Sequence, residues 1–140
     1  MNKIVDFNGI GYVAATFPVD ATTKAYLVAN HTNPATGNVD INGKNLAVKL
    51  GTDGTVGFGA STATSADALL GVIMAYEMDG FASVQIAGGI DEVPTSAAVT
   101  GGRKALAVNN KGEIVVVEGA REATVAKPSA ADNLFASIIL

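Results

Sequence analysis

Turn-forming pairs at short intervals are the feature that most constrains the fold of this chain. Asn-Gly and Asp-Gly supply the positive φ angles that tight β-turns need. Such pairs, together with Gly-Gly pairs and one longer turn, occur at Asn8-Gly9, Asn42-Gly43, Asp53-Gly54, Asp79-Gly80, Gly88-Gly89, Gly101-Gly102 and Asn109 to Gly112. Short runs of strand character lie between them, so the spacing predicts successive short β-strands and hairpins.

Residues 76–90, YEMDGFASVQIAGGI, show the pattern most clearly. Asp79-Gly80 separates two apolar runs, and the second run places Ala82, Val84 and Ile86 on one face by strict alternation. Period-two alternation matches the pleat of a half-buried strand, so this stretch predicts a hairpin.

The same reasoning applied along the chain predicts an all-β fold, a compact β-barrel or β-sandwich of short antiparallel strands and hairpins. Valine and isoleucine greatly outnumber leucine, which also favours strands. The predicted strands lie near residues 2–7, 11–17, 24–29, 38–41, 45–50, 55–58, 71–78, 81–87, 104–108, 113–118 and 133–140.

At most one or two short helical turns are expected, at residues 65–70 and from Pro128. Residues 18–23 and 30–37 are interpreted as polar connectors, and 119–132 as an Ala-rich return segment. No segment has the length or bias of an interdomain linker, so we expect a single domain over residues 1–140, with residues 1–10 as a possible N-terminal arm. The apolar stretch 133–140 predicts a strand tied into the core or into a subunit interface.

Charge and composition exclude several classes of partner. Charged residues make up 16% of the chain and the net charge is −4. No cluster of Lys and Arg is present, so we expect no nucleic-acid partner. A weakly charged surface opposes association little, which favours a homo-oligomer or a large partner surface. The apolar run 69–76 is too short to span a membrane, and residues 1–9 do not form a signal peptide, so we expect synthesis in a cytoplasm.

Candidate catalytic and cofactor-binding residues are few. The chain has no cysteine, and its one histidine, His31, lies in a predicted loop without an acidic neighbour to orient it. Asp91-Glu92 is the one adjacent carboxylate pair, and a turn before Val93-Pro94 explains it better than an acid–base site does. We expect no enzymatic activity, no cofactor and no metal.

Two glycine-rich stretches superficially match nucleotide-binding patterns. GIGYVA at 9–14 would need a following helix, but the next residues favour a strand and end at Pro18. GTDGTVGFG at 51–59 lacks the lysine of a phosphate-binding loop, so its glycines are interpreted as turns and a bulge.

From residue 69 onward the chain resembles the small capsid decoration (cement) proteins of tailed bacteriophages. The similarity covers about half of the chain and consists of turns and apolar strands. Its matching positions are Gly71-Val72, Asp79-Gly80, Val84 with Gly88-Gly89, Val93-Pro94, Gly101-Gly102, Lys111-Gly112 and Leu134 to Leu140.

This resemblance implies a structural virion protein that binds the exterior of the phage head and stabilises the shell by bridging subunits of the major capsid protein. It implies a symmetric homo-oligomer, for which we expect a trimer first and a dimer next. We expect the β-prone segment Asn2, Lys3, Ile4, Val5, Asp6 and Phe7 to form the capsid or subunit interface by adding a strand, although an edge strand of the chain's own fold is an equal alternative.

Two other functions remain open. A ligand- or receptor-binding β module of a virion would expose an aromatic cluster, for instance among Tyr12, Tyr26 and Phe58. A small hydrolase would need two carboxylates brought together by the fold, and Asp91 and Glu92 are the best pair for it.

Overall fold

The computed structural model describes residues 11–77 and 79–140. Ten strands form two antiparallel five-stranded sheets, which confirms the all-β class, and the sheets are open rather than closed into a barrel. The first sheet has the spatial order β1-β5-β4-β2-β3 and contains β1 (Val13–Pro18), β2 (Ala47–Leu50), β3 (Val56–Gly57), β4 (Leu69–Tyr76) and β5 (Phe81–Ala87).

The second sheet is built from the C-terminal half of the chain. It has the order β6-β10-β9-β7-β8 and contains β6 (Gly89–Pro94), β7 (Gly102–Val108), β8 (Ile114–Val116), β9 (Arg121–Lys127) and β10 (Phe135–Ile139). The predicted C-terminal strand is confirmed as β10, which lies between β6 and β9 and buries Ala136 and Ile138 completely.

The two sheets share one hydrophobic core, in which β7 contacts both β2 and β4. Alternate residues of β5 supply it as the period-two pattern predicts, whereas β4, β7 and β10 each bury consecutive residues. Its fully buried members include Val48, Val72, Ile73, Val84, Leu106, Ile114, Val125, Ile138 and, from outside the sheets, Leu27.

The predicted strand at 24–29 is wrong, because α1 (Ala21–His31) occupies this segment. The Asp20 carboxylate accepts a hydrogen bond from the Thr23 N–H at 2.7 Å and so caps the first turn. Leu27, on the inner face of this helix, points into the hydrophobic core and is completely buried. With 11 residues, α1 also exceeds the one or two short turns expected from the sequence.

Other local predictions are corrected as well. Residues 38–41 form only an isolated bridge at Val39, and a turn rather than a helix follows Pro128. The return segment 119–132 contains β9, in which Ala123 pairs with Lys104 of β7 although alanine has little strand preference of its own. Near residue 65 the predicted turn is confirmed as a 3₁₀ turn, Ser65–Asp67.

Close packing explains two glycines of the 51–59 stretch. A Cβ on Gly57 would lie 1.8 Å from the Asp20 Oδ2 atom and 2.6 Å from the Thr23 Oγ1 atom. Gly57 therefore lets the start of α1 approach β3, and a Cβ on Gly59 would meet the Val108 carbonyl oxygen at 2.0 Å. Gly54, with φ of 83°, supplies the turn that the sequence predicted.

An arginine joins the two sheets. Val48 pairs with Gly71 while Lys49 pairs with Leu69, so Leu70 is an extra residue in β4. Arg121 of β9 donates to the Leu70 carbonyl oxygen at 2.5 Å and to the Ile86 carbonyl oxygen at 3.4 Å. The guanidinium group thus satisfies backbone acceptors of the first sheet from the second.

We predict that Arg121→Met lowers the free energy of unfolding by about 1–3 kcal/mol, because it leaves partly buried carbonyl groups without a donor. The matched control is Arg103→Met, since Arg103 makes only an exposed ion pair with Glu122 and should contribute about 0–1 kcal/mol. Urea denaturation of both variants measures the difference, and equal losses would contradict the role given to Arg121.

We also predict that Gly57→Ala destabilises the protein by about 1–3 kcal/mol, because the new methyl group overlaps the start of α1. For comparison, Gly101→Ala should change stability by less than about 0.5 kcal/mol, since the nearest atom to its Cβ would be 3.5 Å away. Thermal denaturation compares the two variants. If Gly57→Ala left the stability unchanged, α1 would be able to shift away from the new methyl group without loss of stability, which would contradict the prediction.

Candidate interaction surface

The predicted interface residues Asn2, Lys3, Ile4, Val5, Asp6 and Phe7 lie outside the described residues. In sequence they precede β1, an edge strand of the first sheet, and residues 8–12 lie between. The described part of the chain therefore bears on an interface through its own sheet edges.

Three of the four edge strands carry features that discourage pairing with another chain. β3 has two residues and β8 has three, so neither offers a long ladder of backbone groups. β6 has six residues but contains a bulge and two carboxylates. Short length, bulges and charge are the usual protections of an exposed edge.

The bulge in β6 is formed by Asp91 and Glu92, which together lie opposite Ser137 of β10. The Ser137 hydroxyl donates to Asp91 Oδ1 at 3.0 Å, and Lys127 Nζ donates to Glu92 Oε1 at 2.6 Å. Glu92 has a positive φ of 57°. The predicted turn is therefore wrong, and the two carboxylates bind different partners instead of sharing an acid–base site.

β1 is less protected, although its pairing with β5 shifts register between Val13 and Ala14. Its six residues, VAATFP, include no charged side chain, and Val13 and Thr16 are exposed. Tyr12, immediately before it, is 63% exposed. Within residues 11–77 and 79–140, β5 is the only strand that pairs with β1 itself. On the other edge, β3 comes alongside just beyond Pro18, where Val19 bridges Val56 and the Asp20 N–H donates to the Val56 carbonyl oxygen at 2.9 Å. Pro18 at its end is the one residue that cannot donate a backbone hydrogen bond.

The start of β1 lies beside the junction of the two sheets at Gly88. A Cβ on Gly88 would lie 2.6 Å from the Gly11 carbonyl oxygen and 2.9 Å from the Tyr12 Cβ atom, and its φ is 99°. The Leu140 N–H donates to the Gly88 carbonyl oxygen at 2.9 Å. We call the unpaired edge of β1 together with Tyr12 the β1 edge.

The aromatic residues proposed as a cluster are only partly together. The rings of Tyr26 and Phe58 contact each other with centroids 5.4 Å apart at 81°, and Tyr26 also lies 6.0 Å from the His31 ring. Tyr12 lies apart, beside Gly88. No local signal in the sequence could have joined Tyr26 to Phe58, since they are distant along the chain.

His31 is the last residue of α1 rather than part of a loop. Burial and, to a smaller extent, the charge of Lys44 lower the pKa of its imidazole. Its surroundings are a polar depression that also includes Asn33, Asp40 and Lys44. The GIGYVA stretch runs into β1 instead of a helix, so it does not have the context of a dinucleotide-binding turn.

A partly buried ion pair connects the 3₁₀ turn to β2. Lys49 Nζ lies 2.8 Å from Asp67 Oδ1, and the Thr64 N–H donates to Asp67 Oδ2 at 3.0 Å. Burial by itself raises the pKa of the Asp67 carboxyl, but hydrogen bonds from Lys49, Thr64 and Ala60 outweigh it and place the pKa below its ordinary value. The pair lies at one wall of a cleft that also includes Tyr26 and Phe58.

Comparison of the chain with protein-family models, curated proteins and solved structures found no match. Within the described residues no group of three His, Asp or Glu side chains is placed to hold a metal ion. In the same part of the chain, no helix is long and apolar enough to cross a membrane.

We predict that Asp67→Asn lowers the free energy of unfolding by about 1–3 kcal/mol near neutral pH, because it leaves the Lys49 ammonium group without its carboxylate. Because the pKa of Asp67 is lower in the folded state, its carboxylate stabilises the fold at pH values above the ordinary pKa of 3.8. This stabilisation is lost as the pH falls through the folded-state pKa. Urea denaturation near pH 7 and near pH 3 should therefore show a smaller difference between the two proteins in acid. The exposed Asp132→Asn is the control, and a difference that does not shrink in acid would contradict the assignment.

Proposed function

We propose that this protein is a structural component of a tailed-bacteriophage virion that binds the exterior of the head and stabilises the shell by bridging subunits of the major capsid protein. The observation that carries the proposal is the β1 edge, an uncharged strand edge with exposed apolar side chains that no other described strand pairs along Val13–Pro18. The resemblance of residues 69–140 to capsid decoration proteins supports the same function.

Strand addition is the mode of binding that such an edge fits. Its outward N–H and C=O groups would pair with an extended segment of the capsid protein, and these backbone hydrogen bonds supply affinity. The exposed side chains of Tyr12 and Val13 would add apolar contact. The adjoining segment Asn2 to Phe7 would lengthen the contact in the same direction.

Self-association would strengthen this binding. In a symmetric trimer, or else a dimer, each copy presents the same edge to an equivalent capsid subunit. Several linked contacts raise the effective concentration of each one, so the affinity of a single edge can be modest. A net charge of −4 leaves little repulsion between copies. On this proposal the protein is made in the host cytoplasm and resides on the capsid exterior, without nucleic acid or membrane as partners and without enzymatic activity.

We predict that Val13→Lys weakens binding to expanded, DNA-free heads by at least about tenfold, because a charged side chain on an edge strand opposes pairing. Val116→Lys is the matched control: Val116 is 48% exposed on the short edge strand β8, against 54% for Val13. Co-sedimentation with heads that lack the protein measures both affinities, with unexpanded precursor heads as a second control. Equal binding by the two variants would contradict the use of the β1 edge.

A second prediction concerns residues 1–7. A folded variant without them should still bind expanded heads, but more weakly than the full chain, if the segment extends the contact made by β1. Undiminished binding would remove the segment from the interface. Failure of the full chain to bind either form of the head would contradict the proposed function as a whole.

A further inference from the structure

The cleft beside α1 has the size and the lining of a small-molecule site, and it lies apart from the β1 edge. Its volume is about 440 Å³, within the range of about 300–1,000 Å³ typical of ligand sites. Five separate segments line it, and they contribute Thr22 and Tyr26 of α1, Lys49 of β2, Phe58 after β3, Asp67 of the 3₁₀ turn, and Asn110 in the β7–β8 turn. Residues that are remote in sequence line this one cleft, as in a binding site, whereas a simple packing gap lies between residues that are close in sequence.

The walls of this cleft are fixed by hydrogen bonds. The Phe58 N–H donates to the buried Thr23 hydroxyl at 2.9 Å, which ties α1 to the strand below it. On the opposite side, the Gly59 N–H donates to the Asn109 carbonyl oxygen at 3.0 Å, and the Lys49–Asp67 pair holds the 3₁₀ turn. A preformed site loses little conformational entropy when a ligand binds.

Three hydrogen-bonding groups in the lining are left for a ligand. Among partners in residues 11–77 and 79–140, the hydroxyl groups of Thr22 and Tyr26 and the amide of Asn110 make no hydrogen bond. These groups both donate and accept. The half-buried Tyr26 ring, held against Phe58, adds an aromatic surface beside them.

The charges around the cleft oppose anions. Asp20 and Asp67 contribute two carboxylates, and the one ammonium group, Lys49, is already paired with Asp67. A phosphate or a carboxylate ligand would therefore meet a net negative wall. A ligand that offers many hydroxyl groups and an apolar C–H face, without charge, matches both the hydrogen-bonding groups and the electron-rich ring face.

We propose that this cleft binds a neutral sugar unit, with its C–H face against Tyr26 and its hydroxyl groups bonded to Thr22 and Asn110. This site is independent of the proposed capsid contact, so a decoration protein that carries it would also attach a virion weakly to neutral glycans. Of the aromatic cluster that a ligand-binding module was expected to expose, Tyr12 lies elsewhere and Phe58 is buried, so only the half-buried Tyr26 ring is left to contact a ligand.

The test is a nuclear magnetic resonance titration of the ¹⁵N-labelled full chain with the methyl glycosides of glucose, galactose and mannose. We expect saturable shifts confined to amides near residues 22–26, 58–60 and 110 for at least one sugar, with a Kd of about 1–10 mM, as suits a single sugar unit. Glucose 6-phosphate and N-acetylneuraminic acid are the anionic comparison. No saturable shift with any neutral sugar, or binding of the anionic sugars alone, would overturn the proposal.

Variants separate a specific site from weak surface contact. Tyr26→Leu should weaken binding at least about tenfold through loss of the ring, whereas Tyr12→Leu, at an exposed tyrosine outside the cleft, should leave it unchanged. Because Tyr26 also packs on Phe58, the exposed Asn110→Ala provides a second test that does not disturb the core, and it should weaken binding at least about threefold. Unchanged sugar affinity in Asn110→Ala would overturn the proposal even if Tyr26→Leu fails to fold.

Capsid binding by Asn110→Ala should equal that of the unmodified protein. The sugar site and the capsid contact can therefore be tested, and rejected, independently of each other.

Discussion

An open β-sheet ends in two strands whose outward N–H and C=O groups have no partner within the sheet, and this constraint shapes the whole molecule. Two open sheets leave four such edges. The chain shortens β3 and β8 to a few residues and breaks β6 with the Asp91–Glu92 bulge. Among the described edge strands β1 is the least protected, because its ladder shifts register only between Val13 and Ala14 and its outer edge is covered only beyond Pro18, where Val19 bridges Val56. Such an edge is where an incoming strand is most easily accommodated.

Turn chemistry explains why much of the fold could be predicted from the sequence. Asp79-Gly80 and the turn from Asn109 to Gly112 connect the hairpins β4–β5 and β7–β8, because the positive φ angles of Gly80 and Gly112 are local properties of those glycines. The apolar residues near Leu140 likewise indicated a buried strand. Each of these signals lies within a few residues of the structure that it determines.

The errors arose where distant contacts override local preference. Thr22, Tyr26 and Val28 favour strands, yet the Asp20 cap and the burial of Leu27 make their segment a helix. β9 is rich in alanine and becomes a strand because it lies between β7 and β10. Asp91 and Glu92 suggested a turn, whereas Ser137 and Lys127, both remote in sequence, hold them in a bulge.

The two candidate sites likewise depend on contacts between distant residues more than on local sequence signals. The sequence indicated the N-terminal region as an interface, but that β1 is an edge depends on the spatial order of five strands, which no local pattern encodes. The cleft beside α1 could not have been predicted, since it requires a helix in a segment whose sequence favours a strand. It also depends on the contact between Tyr26 and Phe58, which are far apart along the chain. Close approach at Gly57 makes that junction possible.

Amide hydrogen exchange, measured on the free protein and on the protein bound to expanded heads, tests the central claim most directly. If the β1 edge pairs with a capsid strand, amides in residues 13–17 should exchange at least about tenfold more slowly in the bound protein, while those of β8 keep their rates. Bound protein whose β1 amides exchange at the free rate, or protection at β8 instead, would contradict the account.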